Sequence, residues 1–419
     1  MQRKLMLLMI TAALTSVIVS GCKNNSDQMV ESEIQMKEKT MVSVWYYFEN
    51  ERHQDILNTE LHKFNQTQDV IEATSKYIPF DNFKKQLSMS TVASELPDII
   101  LIDTSDFAAY AQMGIFADLS GKLDTTQYYE EPLASCTLDG RLYGIPFGSN
   151  CLGLYYNKEM LQNAGIAVPE TWEDLRIAAK ELSHENISGI AFCSLQNEEG
   201  TFNFLPWLWS AGGDSFHLNN AAGIKALTLI SDLVNDGSMN KEVINWTQGD
   251  VLSQFVSGNI AMMINGSWQI PTIRKQAPEL KWDVAPIPKD ADHVTVLGGE
   301  ILGVIDNNNE NASLQVVEFL TQKEEVKSYM SEFGYISARR DVAEKQCIGD
   351  GQMEFFAQQM NFARARDVHA KWPEISDAIS LAVNEVITKS NTPENAAEKA
   401  QVGIDEALND NKESDLEKK

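Results

Sequence analysis

Nothing in these 419 residues spells out a reaction. There is no G-x-S-x-G nucleophile turn, no H-E-x-x-H metal motif and no phosphate-binding glycine loop. The six histidines are scattered, and none of the five cysteines lies in a CxxC pair or near a histidine at ligand spacing. Acids are plentiful, yet no two stand out as the paired carboxylates of a glycosidase. Bases are scarce: 34 Lys and Arg face 60 Asp and Glu, a formal net charge of −26. Such a surface repels phosphate backbones and anionic head groups, which excludes nucleic acid as a partner. No internal repeat is visible. The expectation is a chain without catalytic residues, metal or cofactor.

What is present begins with the first 22 residues. Arg3 and Lys4 precede an apolar stretch, Leu5 to Val19, too short for a comfortable membrane span. Val19-Ser20-Gly21-Cys22 follows and resembles the lipobox of bacterial lipoproteins. That resemblance implies a signal peptide over 1–22 and lipid on Cys22. Residues 23–40 are polar and read as a flexible tether. No later run is long enough to cross a bilayer. Of the remaining cysteines, Cys136 and Cys151 are the nearest pair, and small buried thiols are the preferred reading for all four.

The length exceeds what one core usually serves, so two lobes are expected. The first third alternates strand and helix. Residues 41–48 are β-branched and aromatic, 50–67 are helical, 70–79 extended and 81–93 helical. Ile99-Ile100-Leu101-Ile102 is a continuous apolar run that suits a strand buried on both faces, and 104–113 reads as a helix. The alternation predicts an α/β fold with a parallel sheet, whose ligands bind beyond the carboxyl ends of the strands. Those ends fall near Trp45, Pro79 and Ile102. Further along, Thr171 and Asp174 form a capping box before a helix, and helices are also expected over 224–235, 248–257, 313–333, 353–363, 372–389 and 393–408.

Three stretches break the pattern. Asp139-Gly140 is a turn signal, and the following run from Leu142 to Tyr156 is interrupted by Pro146 and Gly148. Residues 294–305 are interrupted by Gly298 and Gly299. Residues 334–341 form a third candidate. Each suits a chain crossing between lobes. Aromatics are the strongest chemical signal, because their faces stack on the C–H faces of sugar rings. Trp45, Tyr46 and Tyr47 stand where the first strand meets its cleft. Phe202, Trp207 and Trp209 cluster together. Trp268 follows Gly266-Ser267 in a turn, which favours a site over a core position. Trp172 and Trp246 read as packing.

The order Leu96-Pro97-Asp98-Ile99, Asp139-Gly140 through Pro146, Tyr155-Tyr156-Asn157-Lys158, Pro169-Glu170-Thr171-Trp172, Gly258-Asn259-Ile260-Ala261-Met262, Gly266-Ser267-Trp268 and Gly298-Gly299 resembles the extracellular solute-binding proteins of sugar ABC importers, maltodextrin-binding proteins among them. The likeness spans Val42 to about Leu408. Ser337 departs from it, since the family usually has Pro there. The resemblance implies a two-lobe periplasmic-binding-protein-like fold of type II, each lobe a mostly parallel sheet flanked by helices, with three hinge crossovers. Residues 41–148 with 302–336 would form lobe I, 149–301 with 337–410 lobe II, and 411–419 a disordered tail.

By the same resemblance, ligand contacts fall on Trp45, Tyr47, Glu49 and Asn50 after the first strand, and on Asp103 and Ser105 after the third. They continue with Asn150 beyond the hinge Pro, Phe202 ahead of Gly212-Gly213, and Trp268 as a stacking platform; Trp209 joins them as an aromatic candidate, and Glu300 and Arg339 complete the set. The implied function is capture of a carbohydrate by a monomeric, membrane-anchored lipoprotein outside the cytoplasm, with delivery to a membrane permease. A sugar sensor for a receptor kinase, a binder of a cationic solute such as a polyamine, and a secreted glycosidase are the alternatives.

Overall fold

Strand β1 (Thr40–Tyr46) pairs in parallel with β2 (Ile71–Tyr77) on one side and with β3 (Ile99–Asp103) on the other. This computed structural model describes residues 38–417. The expected signal segment, Cys22 and most of the expected tether therefore lie outside the described residues. Side chains of β3 alternate as the apolar run requires. Ile99 and Leu101 enter one buried cluster with Val42, Val44 and Tyr46, while Ile100 and Ile102 enter another with Trp45, Phe83 and Leu87.

A short hairpin, β4 (Thr137–Leu138) and β5 (Arg141–Leu142), turns at Asp139-Gly140. Strand β6 (Gly144–Asn157) follows without a break. The expected interruption at Pro146 and Gly148 is a bulge instead. Opposite β6, Glu300 faces Gly148 and Ile301 faces Pro146, so Phe147 is the extra residue. Beyond the bulge β6 pairs with β8 (Ile260–Gly266) and β9 (Trp282–Ala285), and β7 (Ser188–Ala191) lies parallel to β8. Strand β10 (Thr295–Val304) joins β3 to β6, antiparallel to both, and β11 (Ala363–Ala365) runs parallel to the start of β10. The sheet order is β2-β1-β3-β10-β6-β8-β7.

β6 and β10 thus cross from one apolar core to the next. Ile145, Phe147, Leu302 and Val304 belong to the core around β1, whereas Cys151, Leu152, Leu154 and Val296 belong to the larger one around β8. One continuous sheet explains why the described residues from Lys39 onward hold together as a single compact unit while their cores stay separate. The third crossing runs at Tyr335 and Ile336, where Ser149 exchanges hydrogen bonds with Ile336. Ile336 packs with the larger core, and Ala338 and Val342 pack with the first. The aromatic run at 202–210 is a buried helix, Glu198–Ser210, which carries Pro206 inside it. Residues 313–333 divide into Glu310–Thr321 and Lys323–Phe333, and the last helix, Pro393–Glu417, extends into the expected tail. Cys136, Cys151, Cys193 and Cys347 are free and buried.

Candidate ligand site

A cavity of about 580 Å³ lies where the crossing segments meet the ends of β1 and β3. That is the size of ordinary small-molecule sites. Of the twelve candidates, Tyr47, Glu49, Asn50, Asp103, Asn150, Phe202, Trp268 and Glu300 line it.

Three aromatic rings form one wall. The Trp268 ring centroid lies 6.3 Å from that of Phe202 and 6.4 Å from that of Tyr335. The indole reaches this position because Gly266 has no side chain: a Cβ there would sit 1.9 Å from the Trp268 ring. Gly298 opens the floor in the same way, since its Cβ would meet Asn150 Oδ1 at 2.3 Å and the Phe202 ring at 2.9 Å. Trp268 itself stays partly exposed, unlike the sealed Trp207.

The polar wall is built on two neighbouring strands, where Asp103 of β3 stands opposite Glu300 of β10. Asp103 caps the helix Thr104–Gln112, and its Oδ1 accepts from Ser105 N (2.8 Å), Ser105 Oγ (2.7 Å) and Arg366 Nη2 (2.8 Å). Arg366 also donates through Nη1 to Glu198 Oε1 at 2.7 Å and through Nη2 to Thr104 Oγ1 at 2.9 Å. Its guanidinium carbon lies 4.8 Å over the Phe202 ring. Burial works against the charge of Arg366, yet Asp103 and Glu198 outweigh it and hold the guanidinium above its ordinary range. Glu198 is completed by Trp372 Nε1 (2.9 Å) and Ser376 Oγ (2.5 Å). This ion chain ties β3 of one lobe to two helices of the other.

Glu300 is only 5% exposed. Its Oε1 accepts from the hydroxyls of Tyr335 (2.9 Å) and Tyr47 (3.1 Å), and its buried Oε2 has no hydrogen-bond partner among the described residues. Burial, reinforced by the charge of Asp103, pushes the carboxyl up to about 8, against the lowering effect of the tyrosine hydroxyls and Arg366. Burial and then Glu300 raise both tyrosines well above their usual range. At the rim, Asn50 caps the helix Glu51–Thr67 and donates to Thr272 Oγ1 at 3.3 Å. His53 Nε2 donates to the Phe333 carbonyl, 3.0 Å away, and burial lowers the imidazole to about 4.

Four candidates lie elsewhere. Trp45 is still inside β1, so it packs in the cluster with Phe83 and Leu87, its face covered by the Lys76 amine at 4.4 Å. Ser105 is buried as a donor to Asp103. Trp209 sits two turns beyond Phe202 on its helix, about 10 Å along the axis, and is buried under Arg364. Arg339 donates to Asp341 and lies over Tyr128, away from the cavity. Conversely, the sequence reading missed Glu198, Arg366 and Tyr335. Tyr335 stood within the third crossing stretch, and Glu198 opens the aromatic helix. Arg366 carries no motif, because only the fold pairs β11 with β10, the strand that also pairs with β3.

Two sheet halves joined by crossing strands over a lined cleft define the class of two-lobed solute-binding proteins. The chain belongs to that class by sequence too: the family model "Bacterial extracellular solute-binding protein" matches residues 61–354. A binding protein of Brucella abortus is 25% identical over 348 residues, covering 79% of this chain and 84% of that one. The Multiple sugar-binding protein of Streptococcus mutans is 22% identical over 353 residues, covering 79% and 81%. In fold, the chain is similar to an ABC transporter solute-binding protein of Thermotoga lettingae bound with alpha-D-tagatose (TM-score 0.83, 24% identity, 88% of this chain and 100% of that one). It is likewise similar to maltose-bound MalE3 of T. maritima (TM-score 0.81, 23% identity, 87% and 99%). Members of the family are binding proteins that work outside the cytoplasm.

Proposed function

We propose that this protein captures a carbohydrate between its two lobes and delivers it to the permease of an ABC importer, held at the membrane by lipid on Cys22. The observation that carries the reading is the cavity's division into an aromatic wall, Trp268 with Phe202 and Tyr335, and a polar wall of Asp103, Asn150 and Glu300. A sugar ring has that same division, with apolar C–H faces and a hydroxylated edge. The names of the relatives agree: multiple sugars, tagatose and maltose are what those proteins hold.

Ligand entry would draw the lobes together about β6, β10 and the segment at Tyr335, as hinge closure does in such proteins. The closed form gains because only there does the ligand touch both walls. A thermal-shift screen over mono- and oligosaccharides tests this, since a ligand bound only by the native state raises the melting temperature. A rise for one sugar, reproduced by calorimetry, is expected; a flat response across the screen overturns it. Transport is then read as uptake of that sugar with and without the lipid-bearing Cys22.

One observation favours a second reading. Seven acids line the cavity (Glu49, Glu51, Asp103, Glu198, Glu199, Asp250, Glu300) against three bases (Arg52, Lys275, Arg366). A cationic solute such as a polyamine would suit that excess, so the screen includes one.

A further inference from the structure

The two facing carboxyl groups, Asp103 and Glu300, are not treated alike. Asp103 gathers all its strong donors on Oδ1: two from Ser105 and one from the Arg366 guanidinium. It is the charged member, held by an ion pair. Among the described residues, Glu300 receives two neutral hydroxyls, both on Oε1, while Oε2 is buried in the cavity wall without a hydrogen-bond partner. A charged oxygen left that way, beside another carboxylate, would be costly. A proton on Oε2 removes the repulsion and turns the oxygen into a donor.

We propose that Glu300 is a hydrogen-bond donor of the ligand site, keeping a proton on Oε2 and offering it to an oxygen of the bound sugar. The inference rests on the carbohydrate reading above. Asp103 then supplies the matching acceptor, so a sugar hydroxyl between the two can donate to one and accept from the other. The charged and titratable groups that face Glu300 come from four elements. Asp103 lies on β3, Tyr47 on the loop after β1, Tyr335 on the segment after the helix Lys323–Phe333, and Arg366 just past β11. Arg366 is already engaged by Asp103 and Glu198 and donates nothing to Glu300. Burial and Asp103 favour the proton, and they place its loss at about pH 8 in the free protein.

Glu300→Gln decides the matter, because the amide keeps an oxygen for the tyrosines and a donor for the ligand. The screened sugar with the largest thermal shift is titrated into both proteins by calorimetry from pH 6 to 9.5. The expected result is that Glu300→Gln still binds the sugar, with an affinity that does not change with pH. In the wild type, affinity falls above pH 8 by about tenfold per unit, and in the variant it does not. Loss of binding in Glu300→Gln together with a flat wild-type profile overturns the proposal, for it would make Glu300 a charged acceptor. An infrared difference spectrum of the ligand-free proteins, wild type minus Glu300→Gln at pH 7, gives an answer that needs no sugar. A protonated carboxylic acid band is expected, and a carboxylate band alone overturns the proposal. If no sugar binds at all, the carbohydrate reading fails while this spectrum still decides the state of Glu300.

Discussion

Two hollows of nearly equal size, about 580 and 550 Å³, lie on opposite faces of the same three crossing segments. Consecutive residues divide between them. Asn150 faces the ligand cavity and Ser149 the other hollow; Gly298 and Leu297 divide likewise, as do Tyr335 and Ile336. The front is floored by an ion chain and walled by aromatics. The back holds Leu297, Ile336, Ala343, Met360 and the thiol of Cys347, with Glu131, Glu344 and Glu354 beside them and no cation among its described lining residues. Alternation along an extended chain thus gives one strap two chemistries, and volume alone does not mark a binding site.

The largest effect that can break this contrast is at the front. Arg366→Met should destabilise the protein by about 3–5 kcal/mol, because Asp103 and Glu198 would be left buried without their shared cation. Urea unfolding measures it, and a change under 1 kcal/mol would show that the ion chain does not hold the lobes. Next, Trp268→Ala should weaken sugar binding by about 2 kcal/mol, roughly thirtyfold, with folding intact. Unchanged affinity by calorimetry would remove Trp268 from the site.

Third comes pH. Glu300 stays protonated in the native state up to about 8 but ionises near 4.5 once unfolded. Between those values the native state binds the extra proton, so its contribution to stability falls as pH rises. Relative to Glu300→Gln, the wild type should lose about 1.4 kcal/mol per pH unit inside that window and nothing further above it. Parallel stability curves for the two proteins would contradict the assignment. The smallest effect belongs to the back. Burial pushes the Cys347 thiol up to about 11, and Cys347→Ser should leave sugar affinity unchanged. Iodoacetamide should modify Cys347 in the folded protein at pH 7.5 far more slowly than in urea.

Local pattern made much of this legible. The run Ile99–Ile102 had to be a strand covered on both faces, Thr171 and Asp174 do form a capping box, and Trp268, just past Gly266, lines the cavity. The sequence was silent where a side chain's meaning comes from a distant partner. Arg366 draws its role from Asp103, Thr104 and Glu198, all more than 160 positions away. Trp45 and Trp209 misled because aromaticity suits a packed core and a sugar face equally well; only their depth within a strand and a helix separates the two. Pro146 and Gly148 signalled an irregularity correctly, but a bulge at Phe147 absorbs it without ending the strand.

The order in which the sheet is assembled carries a consequence for synthesis and export. β3, an almost wholly apolar strand, has β1 on one edge and β10 on the other, and β10 emerges roughly 190 residues later. Until then the open edge of β3 is a template for pairing with other chains. The growing polypeptide would need an escort through that interval, and slowed translocation after residue 103 should be the condition under which it aggregates.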